Sequence, residues 1–312
     1  MKINQLLKGI KKIFQPQLPE ETKTAKKDPG SAQIRATDEL VLDPESIEET
    51  PSSHSELHIN VGYGLSVGKQ RTHNEDAFYT LTTTLAYNEN ELPVGLYIVA
   101  DGMGGHRNGE VASELAIRTI VEYILKDIYT PLMSRNPQPS NSSYQEVFLA
   151  AIEEANDEII RNSAGGGTTV TAVLIIGGQM TIAHVGDSRI YSVDEDGALE
   201  PLTRDHSLVR RLQELGQITS EEAAVHPQRN VLYRALGQGE PFEPEIISTA
   251  RPSSGALLIC SDGLWSILGQ ETLRQIINDG VTPQQTCDQL IDAANLAGGP
   301  DNISAIYVEF SS

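Results

Sequence analysis

Leu96-Tyr97-Ile98-Val99-Ala100-Asp101-Gly102 and Leu257-Leu258-Ile259-Cys260-Ser261-Asp262-Gly263 are two versions of one pattern, an apolar run that stops at Asp-Gly. Runs this short and this apolar predict strands buried on both faces. A carboxylate at the end of a buried strand is costly unless it is paired, hydrogen-bonded or bound to a metal. The glycine beside it frees the backbone to turn and brings a main-chain carbonyl within reach of the same ion. Asp-Gly is also a common turn dipeptide, so a single such ending would prove nothing.

Further acids stand at the ends of other predicted strands. Asn74-Glu75-Asp76 immediately precedes a strand at 77–81, and Gly299-Pro300-Asp301-Asn302 precedes one at 303–310. Asp187, in Val185-Gly186-Asp187-Ser188-Arg189, lies between strands at 180–185 and 188–193. If the central strands run antiparallel, these ends meet on one rim. Four or five carboxylates gathered there could not all stay ionised, and divalent cations would resolve the conflict. An all-oxygen set without matching Cys or His points to Mg²⁺ or Mn²⁺ rather than zinc.

Strands are also expected at 63–67, 95–100, 169–176 and 256–260. Apolar residues at helical spacing predict helices at 110–125, 145–161, 270–278 and 283–297, the last with Pro283 at its start. The Pro-, Ser- and Asn-rich stretch at 131–144 joins the first two as an antiparallel hairpin, not a βαβ crossover. Clustered strands with paired helices predict an α+β domain with sheets in the middle and helices outside. A doubly wound parallel sheet is the alternative.

The chain has 312 residues, with 43 Asp and Glu against 23 Lys and Arg, a formal charge of −20. Such a surface repels nucleic-acid phosphates, so no nucleic-acid partner is expected. Cys260 and Cys287 form no CxxC pair and read as buried reduced thiols, consistent with a cytoplasmic location. No apolar stretch is long enough to span a bilayer.

In residues 1–14, Ile3, Leu6, Leu7, Ile10, Ile13 and Phe14 recur at helical spacing, with Lys2, Lys8, Lys11 and Lys12 on the remaining arc. This basic amphipathic helix could lie peripherally on an anionic membrane, dock on a partner or pack on its own domain. Residues 15–60, polar and increasingly acidic, read as a disordered linker. The ordered domain is expected over 61–312.

Six segments then resemble, in order, the motif series of the metal-dependent serine/threonine protein phosphatases, type 2C or PPM. They are Arg71-Thr72-His73-Asn74-Glu75-Asp76-Ala77-Phe78, Asp101-Gly102-Met103-Gly104-Gly105-His106, Gly166-Gly167-Thr168-Thr169, Gly186-Asp187-Ser188-Arg189, Ser261-Asp262-Gly263 and Asp301-Asn302. The likeness runs from about residue 61 to the C-terminus, and the ordered set is highly specific. Met103, where the eukaryotic branch has histidine, resembles the bacterial branch.

The resemblance implies a central antiparallel β-sandwich flanked by helices in four layers, α-β-β-α, with a two-metal site at one edge. It implies that Asp101 bridges two Mn²⁺ or Mg²⁺ ions with help from the Gly102 carbonyl. Asp262 and Asp301 complete one shell, and Asp76 and Glu75 act directly or through water. Asp187 matches a position that, with Asp262, holds a third and weaker ion. Arg71 matches the phosphate-binding arginine, whose fork suits bidentate recognition. Water between two cations is acidified enough to attack phosphorus in line near neutral pH, without a phosphoenzyme. His106 or a metal-bound water is the candidate general acid. His184 reads as a structural histidine, and His73 as one that orders its loop. Residues 202–237, a polar and helical stretch, correspond to a flap beside the site. The expected partners are phosphoprotein substrates and a cognate Ser/Thr kinase, and a monomer is the default expectation.

Three rivals can be set against this reading. A nucleotide-binding loop at 102–109 lacks both the GxGxxG spacing and a following Lys-Ser/Thr. A non-catalytic relative would be expected to have lost metal carboxylates, and all stand here. A phosphatase of small phosphate esters would share the chemistry and differ only in its flap and surface.

Overall fold

The computed structural model describes residues 58–87, 90–105, 107–134, 142–239 and 242–311. The helix expected at 1–14, nearly all of the expected linker and His106 lie outside these residues. The chain runs through β1 (His58–Ser66), β2 (Asp76–Tyr87), β3 (Asn90–Met103), α1 (Arg107–Ile124) and α2 (Tyr144–Asn162). It continues through β4 (Gly167–Thr168), β5 (Val170–Ile176), β6 (Gln179–Val185), β7 (Arg189–Val193) and β8 (Leu199–Pro201). Then come α3 (Leu208–Glu214), α4 (Ser220–Ala224), β9 (Glu245–Ala250) and β10 (Gly255–Cys260). The last elements are α5 (Asp262–Trp265), α6 (Gln270–Asp279), α7 (Pro283–Leu296) and β11 (Ile303–Ser311).

The strands form two sheets, ordered β1-β11-β10-β7-β8 and β2-β3-β5-β6-β9, with β4 added beside the end of β3. Every pairing is antiparallel, which excludes the doubly wound parallel sheet. The sheets face each other through Tyr97, Val173 and Ile182 on one side and Leu257, Ile259 and Ile306 on the other. Alternate residues of the same strands point outward. Leu96, Ile98 and Leu174 pack against Ile120, Phe148 and Ile152 of α1 and α2. Leu258, Cys260 and Ala305 pack against Leu273, Leu290 and Ala294 of α6 and α7. Helices therefore cover both outer faces, giving four layers, α-β-β-α. The continuous apolar runs follow from this arrangement, because Leu96 through Ala100 and Leu257 through Cys260 have cores on both sides.

Local chemistry starts the helices where the pattern predicts. Ser143 and Glu146 form a reciprocal capping box at α2, and Thr282 caps α7 with Pro283 in its first turn. The helix after α1 continues through a π-helical turn, Leu125–Tyr129, and ends at Thr130–Leu132, so Pro131 lies within the helical end rather than in the loop.

Other elements exceed or depart from expectation. β1 begins at His58, so the last three residues assigned to the linker pair with Ser311, Phe310 and Glu309. β2 and β3 extend through polar residues because the two strands pair along their whole length, as where Thr82 faces Gly95. β8 and β9, which close the two sheets, carry too few buried residues to stand out. Within residues 202–237 only α3 and α4 are helical, and the rest is turns and isolated bridges.

Candidate active site

Topology brings the acids together. Asp76 opens β2 and Asp101 lies near the end of β3, and the two are directly paired in the antiparallel ladder. β10 and β11 are also antiparallel neighbours, so Asp262, just after β10, and Asp301, just before β11, reach the same end of the other sheet. Asp187 sits on the turn that carries the chain from β6 in one sheet to β7 in the other. Arg71, Glu75, Asp101, Asp187, Asp262 and Asp301 line a common cavity of about 220 Å³, together with Gly102. Asp76 is buried behind this wall.

Burial and mutual repulsion dominate the electrostatics. Burial pushes the Asp76 carboxyl up to about 7, against the opposing influence of the nearby Ser304 and Ser261 hydroxyls, with the charges of Asp262 and Asp301 adding to the rise. Burial, then Asp301, moves Asp262 up to about 6, while a hydrogen bond with Asp101 opposes the shift. Asp101 and Asp187 are held well above the ordinary carboxylate range by burial and then by neighbouring acids. In these conformations no three His, Cys, Asp or Glu side chains close around one point among the described residues. The acids engage other groups: Asp301 accepts from Arg71 at 2.8 Å, and Asp76 Oδ2 accepts from Ser304 Oγ at 2.5 Å. Asp76 Oδ1 is buried with no hydrogen-bond partner. A buried carboxylate oxygen without a donor is what a cation would satisfy.

The backbone around the acids is firmly held. The Asp101 carbonyl accepts from the Thr168 hydroxyl and the Thr169 amide, both at 2.9 Å, and its own amide donates to Thr169 Oγ1 at 3.0 Å. The Gly102 amide donates to the Glu75 carbonyl at 3.1 Å, and Ser113 Oγ donates to the same oxygen at 2.6 Å. A Cβ on Gly102 would run into the carbonyls of Gly109 and Glu75, so this glycine is needed for close approach, not for an unusual φ. Glu75 Oε1 contacts His73 Nε2 at 3.1 Å, which ties the loop after Arg71 to the rim. His184 is buried between Thr171 and the Arg204 carbonyl, as a structural histidine.

Residues 62–303 match the protein phosphatase 2C family. The chain belongs to the protein phosphatase 2C family. The serine/threonine phosphatase stp of Listeria innocua is 37% identical over 247 residues, which cover 78% of this chain and 92% of that protein. Among solved structures, the S. agalactiae serine/threonine phosphatase superposes with a TM-score of 0.68 at 33% identity, covering 81% of this chain and 99% of that one. The catalytic domain of the phosphatase PstP, solved in complex with two manganese ions, gives 0.66 at 29% identity, covering 82% and 100%.

The phosphatase 2C domain also depends on residues that the sequence reading left without a role. Asn302 is one. Its Oδ1 accepts from the Glu75 amide at 2.8 Å, and its Nδ2 donates to the carbonyls of Val67 and His73 at 2.8 and 3.0 Å. Its place beside Asp301 is a signal, but the bonds span more than 200 positions and are invisible in the chain. Ser304, inside a strand, and the grouping of Arg189, Asp205 and Trp265 carry no signal of their own.

Proposed function

We propose that this phosphatase 2C protein hydrolyses phosphoserine and phosphothreonine on proteins, using two divalent cations, Mn²⁺ or Mg²⁺, and so reverses a serine/threonine kinase in signalling. The observation that carries the reading is the convergence of Asp101, Asp187, Asp262 and Asp301 on one cavity, backed by Asp76 with an unpartnered buried oxygen. The all-oxygen donor set fits these ions. PstP, a structural relative, holds two manganese ions.

Asp76, Asp101 with the Gly102 carbonyl, Asp262 and Asp301 would hold the pair, with Glu75 behind them. Asp187 with Asp262 would hold a third, weaker ion. Cations held there would supply Lewis acidity toward the phosphoryl oxygens and would acidify a water nucleophile. Arg71, half exposed at the cavity lining and paired with Asp301, would receive phosphoryl oxygens with its planar fork once it leaves that partner. His106, outside the described residues, is the proposed proton donor to the leaving alkoxide. Neither cysteine is needed as a nucleophile: both are buried, and burial pushes both thiols up to about 12.

Purified protein should release phosphate from a phosphothreonine peptide only with Mn²⁺ or Mg²⁺, and Asp262→Asn should abolish release. Metal-independent turnover, or an unaffected Asp262→Asn protein, would sink the mechanism.

A further inference from the structure

We propose that Arg189, Asp205 and Trp265 form a latch that seats one wall of the active-site cavity and thereby positions the phosphopeptide; this rests on the proposed substrate class. The wall is the 202–237 segment, whose Asn230 and Leu232 line the cavity. Its first arm is docked on the turn and strand that follow Asp187. The Arg189 guanidinium forks onto Asp205 at 2.9 and 2.8 Å, donates to Tyr191 Oη at 2.9 Å and lies 3.4 Å over the Trp265 ring. The Trp265 indole N–H donates to the Asp187 carbonyl at 3.0 Å. One partly buried arginine thus joins the wall to the element that carries an active-site acid.

Backbone bonds complete the docking. The His206 amide donates to the Gly186 carbonyl at 2.7 Å, and the Gly186 amide donates back to His206 Nδ1 at 3.1 Å. The two arms of the wall are then zipped together, Leu208 N to Val231 O at 2.8 Å and Tyr233 N to His206 O at 2.9 Å. Asn230 and Leu232 sit within this zipper, so the seat of Asp205 sets where they stand. The second arm has its own anchor, a reciprocal pair between Leu236 and Thr168 at 2.9 and 3.1 Å. Opening the latch should therefore displace the wall without unfolding the domain.

A small aryl phosphate offers this cavity little beyond its phosphoryl group, whereas a peptide also presents flanking residues to Asn230 and Leu232. Asp205→Asn keeps the volume and loses the charged fork, Arg189→Lys keeps the charge and loses the planar geometry, and Asp205→Glu restores a carboxylate. In the first two, KM for a phosphothreonine peptide should rise about tenfold with kcat nearly held, while kcat/KM for p-nitrophenyl phosphate stays within about twofold. Asp205→Glu should recover most of the loss. Trp265 is the sole tryptophan of the chain, so its fluorescence reads the latch directly. Its emission should change in Asp205→Asn while the far-ultraviolet circular dichroism does not. Equal losses on both substrates, or no loss on either, would overturn the proposal. Wild-type protein that hydrolyses the aryl ester but ignores the peptide would defeat the substrate reading instead. An unaltered Trp265 spectrum in Asp205→Asn would then defeat the latch.

Discussion

Asp76 and Asp101 stand directly opposite each other in the β2–β3 ladder, at the one end of that hairpin that faces the cavity. Like charges in that relationship destabilise a sheet, and burial raises both carboxyls further. A cation between them would turn repulsion into attraction. Mn²⁺ should therefore raise the Tm and a chelator should lower it, with about 2.7 kcal/mol of added stability at a hundredfold excess over Kd. Asp101→Asn should lose most of the Mn²⁺-dependent shift while matching or exceeding the wild-type Tm in chelator. Differential scanning calorimetry checks both, and an undiminished shift would contradict the assignment.

Asn302 ties three backbone groups of the 67–75 loop to the base of β11. Asn302→Ala should leave the Glu75 amide buried without an acceptor, at a cost of about 1–3 kcal/mol. Because that loop carries Arg71, phosphopeptide turnover should also fall. Urea unfolding at a fixed metal concentration measures the first effect. A stability change within error would show that the three bonds are replaced by solvent.

His184 and His206 set an acid limit. Burial lowers His184 to about 4 and His206 to about 3, from 6.5 in the unfolded chain. Below 6.5 the unfolded state therefore binds more protons than the folded one, so stability falls as pH drops from 6.5 toward 4 and is unaffected above 6.5. His206→Gln should flatten this slope by at most about 1.4 kcal/mol per pH unit. The comparison is made in chelator, where the carboxylates titrate alike in both proteins. Parallel stability–pH curves would exclude His206 as a contributor.

Gly102→Ala tests the close approach of β3 to α1. The added methyl would meet two carbonyl oxygens, those of Gly109 and Glu75, and neither belongs to a flexible side chain. Overpacking of this kind costs about 1–3 kcal/mol or more. The Mn²⁺-dependent rise in Tm should shrink with it, since Gly102 and Asp101 move together. A variant with wild-type Tm in metal and in chelator would show that the backbone there yields freely.

The class of the domain and the candidate acids were legible in consecutive residues. Apolar runs ending in Asp-Gly mark strands with cores on both faces, and an acid at such an end needs a partner wherever it lies. Those are local properties, and they are written in consecutive residues. Tertiary structure alone decided which acids meet. Asp76 faces Asp101 because β2 and β3 are paired, while Asp262 and Asp301 join them because the second sheet packs with its corresponding end at the same rim. It also decided the supports: Asn302 under Glu75, Ser304 on Asp76, and Arg189 between Asp205 and Trp265. A hydrogen bond or a stacked ring depends on separations of about 3 to 4 Å between residues far apart in the chain. Nothing in the spacing of one segment encodes the position of another until the sheets have packed.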